Sequence, residues 1–141
     1  MSVLTLDASV ICKWFLQDAG DEEYLAEARD LMDAVEAGTA RVLQPAHTIA
    51  EVLGVIARRR PRHALDAAVA LAGIALPVWD TQSTYRTAVR LALKTGAHLF
   101  DTLYHAVALE TDISLITADD KYLKLGCASG HITALRGFKV E

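Results

Sequence analysis

Two short apolar runs each lead into a carboxylate, and they constrain the fold more than any other feature of the chain. Val3-Leu4-Thr5-Leu6 closes on Asp7, and Leu115-Ile116-Thr117 passes through Ala118 to Asp119. Both runs are strand-length and uncharged at every position, with no polar–apolar alternation. Strands of that kind are buried on both faces, as in a parallel sheet covered by helices. An open sheet of this type takes its ligands in the crevice beyond the carboxyl ends of its strands, where these two acids stand.

The rest of the chain supplies the helices. The patterning predicts a strand over 2–7, a short helix over 9–16 and an amphipathic helix over 21–37. In the last of these, Tyr24, Leu25, Ala28, Leu31, Met32 and Val35 recur at helical spacing, and Gly38 is placed to end it. A strand over 41–44 precedes Pro45. Residues 46–60 read as a helix with Ile49, Val52, Leu53 and Ile56 as its core stripe, and Pro61 opens another that runs to about residue 76. Val78-Trp79 is a minimal strand. Helices over 83–94 and 101–110, a strand over 114–117, a short helix over 119–125 and a strand over 131–135 complete the pattern. This alternation predicts one α/β domain over residues 1–141, a central parallel sheet flanked by helices on both faces. A chain of 141 residues builds one real core and has no room for two ordinary domains.

An apolar fraction of 52% and a mean hydropathy of +0.24 fit a sheet covered twice. The longest nearly uncharged run, Ala67 to Trp79, is shorter than the roughly 20 residues that span a bilayer. It reads as a buried helix, with Ala67–Leu76 as a candidate homodimer surface. The N-terminus enters a strand directly, without a basic start or cleavage site, which predicts a cytoplasmic protein with no membrane segment. Cys12 and Cys127 form no CxxC motif and read as two reduced thiols. The net charge of −4 argues against a protein that grips nucleic acid by overall charge. Any such contact is local, through a metal or a basic patch.

Asp101 and Glu51 extend the acidic set. Asp101 leads into a segment apolar almost all round, from Leu103 to Leu109. Asp7, Asp101 and Asp119 each also suit the N-cap of the helix that follows. Glu51 falls opposite the stripe of Ile49, Val52, Leu53 and Ile56, so periodicity alone reads it as a solvated helix residue. If four carboxylates lay about 5 Å apart, each like-charge pair would cost roughly 3 kcal/mol at an effective dielectric near 20. The gross penalty, on the order of 20 kcal/mol, exceeds the stability of an ordinary domain. Such a cluster binds a cation or retains protons. All-oxygen ligands favour Mg²⁺ or Mn²⁺, and no Cys or His pair has zinc spacing.

Four segments resemble the motifs of the PIN-domain ribonucleases, in particular the VapC-type toxins of toxin–antitoxin pairs. They are Leu6-Asp7-Ala8-Ser9-Val10-Ile11-Cys12-Lys13-Trp14-Phe15, Thr48-Ile49-Ala50-Glu51-Val52, Phe100-Asp101-Thr102-Leu103-Tyr104-His105-Ala106-Val107-Ala108 and Leu115-Ile116-Thr117-Ala118-Asp119. Their order and the chain length are similar to the family's. The resemblance implies a PIN fold and an endoribonuclease that uses metal-activated water. It implies that Asp7, Glu51, Asp101 and Asp119 form the acidic Mg²⁺/Mn²⁺ pocket, with Asp7, Asp101 and Asp119 as ligands and Ser9 and Thr117 as supporting hydroxyls. It brings Glu51 into the pocket where periodicity did not. It also implies RNA as substrate, an antitoxin protein as partner, and a homodimer. Asp120 doubles the last acid; the spacing from Thr117 favours Asp119, as in the family pattern. Gln17-Asp18 replaces a Pro-Glu common after the first motif.

Arg58, Arg59 and Arg62 belong to the one dense basic stretch, Arg58 to His63, and are candidate RNA contacts. Solvated helix ends carry such runs too. Arg58, seven residues after Glu51, shares nearly its face about 10 Å along the axis. His105, one turn after Asp101, reads either as a positioner of that acid or as a satisfied buried histidine. Trp14, Phe15 and Trp79 read as core. Three rival functions remain: a housekeeping RNA-processing nuclease, a PIN-like module without activity, and a phosphatase using Asp7 as nucleophile. The last needs a second acid where this chain has Ser9.

Overall fold

In the computed structural model, which describes residues 1–141, the first strand, β1 (Ser2–Leu6), lies inside the sheet. Leu4, Thr5 and Leu6 are all buried although successive side chains point to opposite faces, so both faces are covered. The same holds for Leu115, Ile116 and Thr117 of β3 (Ser114–Thr117). With β2 (Ala40–Val42) and β4 (Ile132–Ala134) they form a parallel sheet of order β2-β1-β3-β4. From β1 the chain moves first to β2 on one side and later to β3 on the other. The strand order therefore reverses between β1 and β3, and the crevice of an open sheet opens at such a point. Leu6 pairs with Ile116, and the Asp7 amide donates to the Ile116 carbonyl at 3.0 Å, so the ladder runs as far as the first acid.

Seven helices surround the sheet: α1 (Ala8–Trp14), α2 (Leu25–Ala37), α3 (Thr48–Arg59), α4 (Ala64–Ala72), α5 (Gln82–Thr95), α6 (Leu99–Thr111) and α7 (Asp120–Gly126). The main core joins the β1 and β3 side chains to Val10 and Ile11 of α1, Leu31 of α2, Val52 and Ile56 of α3 and Tyr104 of α6. A smaller cluster, Ala88, Leu91, Leu103 and Ala106, welds α5 to α6.

Several boundaries differ from the sequence expectation. The helix predicted from Asp21 starts at Leu25, because Tyr24 takes a left-handed turn at φ +59° and Glu22 is drawn to cations elsewhere. The strand predicted over 41–44 ends at Val42. Gln44 instead bridges to Val78, so the minimal strand at Val78-Trp79 is a single bridge. The helix predicted from Pro61 opens with a 3₁₀ turn over Pro61–His63 and stops at Ala72. It is not a buried helix: only Ala67 and Leu71 turn inward, while Leu65 and Val69 are 83% and 77% exposed. Ile49, expected in the α3 core stripe, is exposed as well. No helix is long and apolar enough to cross a membrane.

Candidate metal centre

Asp7 leaves β1 in extended conformation and caps α1, its Oδ2 accepting the Ser9 amide at 3.0 Å. The side chain is buried. Loss of water pushes its carboxyl up to about 7; hydrogen bonds from Ser9 pull the other way, and the charges of Glu51 and Asp101 add to the rise. Ser9 also ties the two strand ends together, since its hydroxyl accepts the Ala118 amide at 3.0 Å. Thr117 does the corresponding job one step on, its Oγ1 accepting the Asp119 amide at 3.0 Å. Asp119 then caps α7, with Oδ1 accepting the Tyr122 amide at 3.1 Å. Two of the three predicted capping roles are thus present. The third is not: His98 caps α6, and Asp101 sits in its first turn.

Glu51 lies on the face of α3 away from the core, and that face forms the wall of a cleft. Glu51, Gly54, Val55 and Arg58 line a cavity of about 650 Å³ together with Asp7 and Ser9. Periodicity separates the core face from the other face; it does not say whether the other face meets solvent or a cleft. The Glu51 carboxylate accepts the Tyr104 hydroxyl at 3.1 Å and has the His47 Nε2 at 3.8 Å. Burial raises its pKa, with Asp101 contributing. Burial likewise raises that of Asp101, with Asp119 next in weight. Asp101 and Asp119 face a second, smaller cavity of about 170 Å³, shared with His98, Lys121 and Tyr122. The four acids therefore fall into two pairs, one on each cavity, that feel one another's charge. No three of them stand close enough, as the side chains are oriented, to enclose an ion. Asp120 is exposed and lines neither cavity; Asp119 is the one directed to Asp101.

None of the four acids is paired with a lysine or arginine. A desolvated carboxylate without a cation is costly unless it is protonated or meets a metal. The donors are oxygen only, which suits a hard divalent cation such as Mg²⁺ or Mn²⁺. In donor chemistry and charge the residues fit such an ion.

The basic stretch divides. Arg58 and Arg59 line the larger cavity; Arg62, in the 3₁₀ turn, does not, and this separates it from the other two candidate contacts. Arg59 is held by Glu22, with Asp21 at 3.8 Å, and Arg60 reaches both Asp18 oxygens at 2.8 and 2.7 Å. Asp18 thus anchors the loop before α2. Arg58 has no partner. Sequence reading passed over Lys13, which is buried in the cavity wall and bound to Glu22 at 2.8 Å. Its signal was a lone cation inside the apolar run Val10–Trp14. His105 is a satisfied core histidine: Nε2 donates to the Gly130 carbonyl at 2.7 Å and Nδ1 accepts the Tyr122 hydroxyl at 2.8 Å.

The PIN-domain family model matches residues 4–126. This chain belongs to the PIN-domain family. β4 lies beyond the matched residues of the PIN domain yet pairs with β3 in the same sheet. Among solved structures, the PIN domain is similar to a chain described as a toxin–antitoxin complex from Klebsiella pneumoniae. That chain is 17% identical with a TM-score of 0.64, over 96% of this chain and 98% of that one. It is also similar to a crystal structure from Pyrobaculum aerophilum at 16% identity and a TM-score of 0.61, over 97% and 91%. These likenesses describe the fold. No curated protein matches the chain at a significant level.

Proposed function

We propose that this PIN domain is a Mg²⁺- or Mn²⁺-dependent endoribonuclease and the toxin of a toxin–antitoxin pair. The observation that carries the reading is Asp7: a buried carboxylate without a cation, at the reversal of strand order, sharing its cleft with Glu51. PIN domains are generally nucleases. Asp7, Asp101 and Asp119 would hold the ion and Glu51 would complete the shell or carry a proton at its carboxylate. Bound there, a divalent cation supplies an acidified water and charge to offset the developing phosphate charge. Ser9 and Thr117 keep the two strand-end carboxylates oriented. Arg58 offers a free guanidinium to a phosphate of the chain being cut. Single-stranded or loop RNA suits an open cleft, and such a substrate sets the cytoplasm as the place of action.

The solved relative described as a toxin–antitoxin complex supports an antitoxin partner. An arginine or lysine from that partner entering the acidic cleft would compete with metal and silence the enzyme. The exposed apolar face of α4, with Leu65 and Val69, is the proposed homodimer surface. A housekeeping RNA-processing role shares the same site chemistry; an antitoxin gene beside this one separates the two. A module without activity would have had no need to retain all four acids.

The reading is tested by incubating a pool of structured cellular RNAs with the protein and Mg²⁺ or Mn²⁺. Discrete cuts should appear with metal, vanish with chelator, and be absent in Asp7→Asn and Asp101→Asn. Intact RNA with folded, metal-bound wild-type protein would reject it.

A further inference from the structure

Phe100 sits in the first turn of α6, one residue before Asp101, and is 48% exposed. Exposed single aromatics are ordinary on protein surfaces, but this one is fixed in place. The His47 ring lies against it with centroids 4.9 Å apart and planes 30° from parallel, and His98 meets it edge-on at 5.0 Å. The His47 Nε2 donates to the Phe100 carbonyl at 3.0 Å, and the buried Tyr104 packs on the same imidazole at 4.8 Å. The result is a braced aromatic ledge, and it forms part of the lining of the larger cavity with Asp7, Glu51 and Arg58.

Six of the fourteen residues lining that cavity are charged. An apolar peptide anchor would meet poor surroundings there. A nucleotide would not: it brings an anion, a polar sugar and a flat base. The cleft offers acids for a metal-bound phosphate, an unpaired guanidinium at Arg58 for another, and one flat hydrocarbon face. We propose that Phe100 is the stacking platform for a base of single-stranded RNA beside the scissile phosphate. The proposal rests on the nuclease reading and adds to it a residue that grips substrate. Every base has a π face, so the platform tolerates any sequence, with purines favoured by their larger overlap.

The test compares full-length wild type with Phe100→Leu and Phe100→Tyr, cutting short single-stranded oligoribonucleotides in Mn²⁺. One set carries 2-aminopurine, and another an abasic site, at the positions flanking the cut. Leucine should lower kcat/KM roughly tenfold or more, chiefly through KM, and tyrosine should restore it. Wild type and the tyrosine variant should quench 2-aminopurine at one flanking position, and the leucine variant should not. The abasic substrate should penalise wild type and leave the leucine variant indifferent. Equal kcat/KM for leucine and wild type, or an equal abasic penalty in both, overturns the proposal while leaving the nuclease intact. Unchanged RNA kinetics with lost capture of the cognate antitoxin would assign the ring to that protein and overturn it too. Wild type that neither binds nor cuts RNA removes the nuclease reading and the platform with it.

Discussion

At Asp7 the helix cap and the candidate metal ligand are one carboxylate. Its folded pKa of about 7 lies above the 3.8 of an unperturbed aspartate, so the folded state holds the proton more tightly than the unfolded one. Between those values the folded protein carries more protons, and stability falls as pH rises. In metal-free protein the group costs nothing below about pH 4 and its full amount above about pH 7, up to roughly 4 kcal/mol. Asp7→Asn keeps the cap, since asparagine is an equally good N-cap, and removes the ionisation. With chelator, the variant should match wild type in denaturant midpoint near pH 4 and exceed it at pH 8. Mn²⁺ should then raise wild type at pH 8 and leave the variant unmoved. Parallel pH curves for the two proteins would contradict this account. The sequence displayed both readings of Asp7, and the structure shows the cap. Glu51 was another matter: the angle of a residue on a helix fixes its side, and only the tertiary arrangement turns that side into a cleft wall.

Among the elements, α7 carries the second strand-end acid, and its placement depends on Gly126. A Cβ there would stand 3.0 Å from the Tyr122 ring and 3.1 Å from the His105 Nδ1. Neither neighbour yields easily, because both are buried and hydrogen-bonded to each other. Gly126→Ala should therefore destabilise the protein by about 1–3 kcal/mol in denaturant titration, the usual cost of overpacking. It should also weaken Mn²⁺ binding measured by calorimetry, because α7 shifts with Asp119 at its cap. An unchanged midpoint would mean the pair relaxes freely. Nothing in the sequence marks this glycine, since its φ is ordinary and its constraint comes from the Tyr122 ring together with His105 of α6. Gln44 was equally hidden. Its buried amide accepts the Leu6 N–H at 2.8 Å and donates to the Leu6 carbonyl at 2.7 Å, serving as a strand neighbour where β2 has ended. The patterning placed Gln44 at the end of a strand; only the missing ladder partner of Leu6 explains why its side chain is buried.

For the whole molecule, the alternation of strands and helices was legible because the doubly buried runs at β1 and β3 leave few other arrangements. The exposure of α4 was not, since an apolar segment looks alike whether it faces its own core or a second copy. Val69→Glu places a charge on that face without touching the core. It should convert the proposed dimer to a monomer in light scattering, with the thermal midpoint of the monomer preserved; a mass equal to wild type would dismiss this surface. One further consequence follows from the register of the sheet. Asp7 is locked by the Ile116 carbonyl, and Ser9 by the Ala118 amide, across more than a hundred residues of chain. Contacts of such long separation form late. During translation the first acid leaves the ribosome more than a hundred residues before the strand that fixes it and the last acid that follows that strand. A nascent chain therefore carries half a cleft. The cleft of the proposed nuclease is thus complete only once both strand ends have left the ribosome.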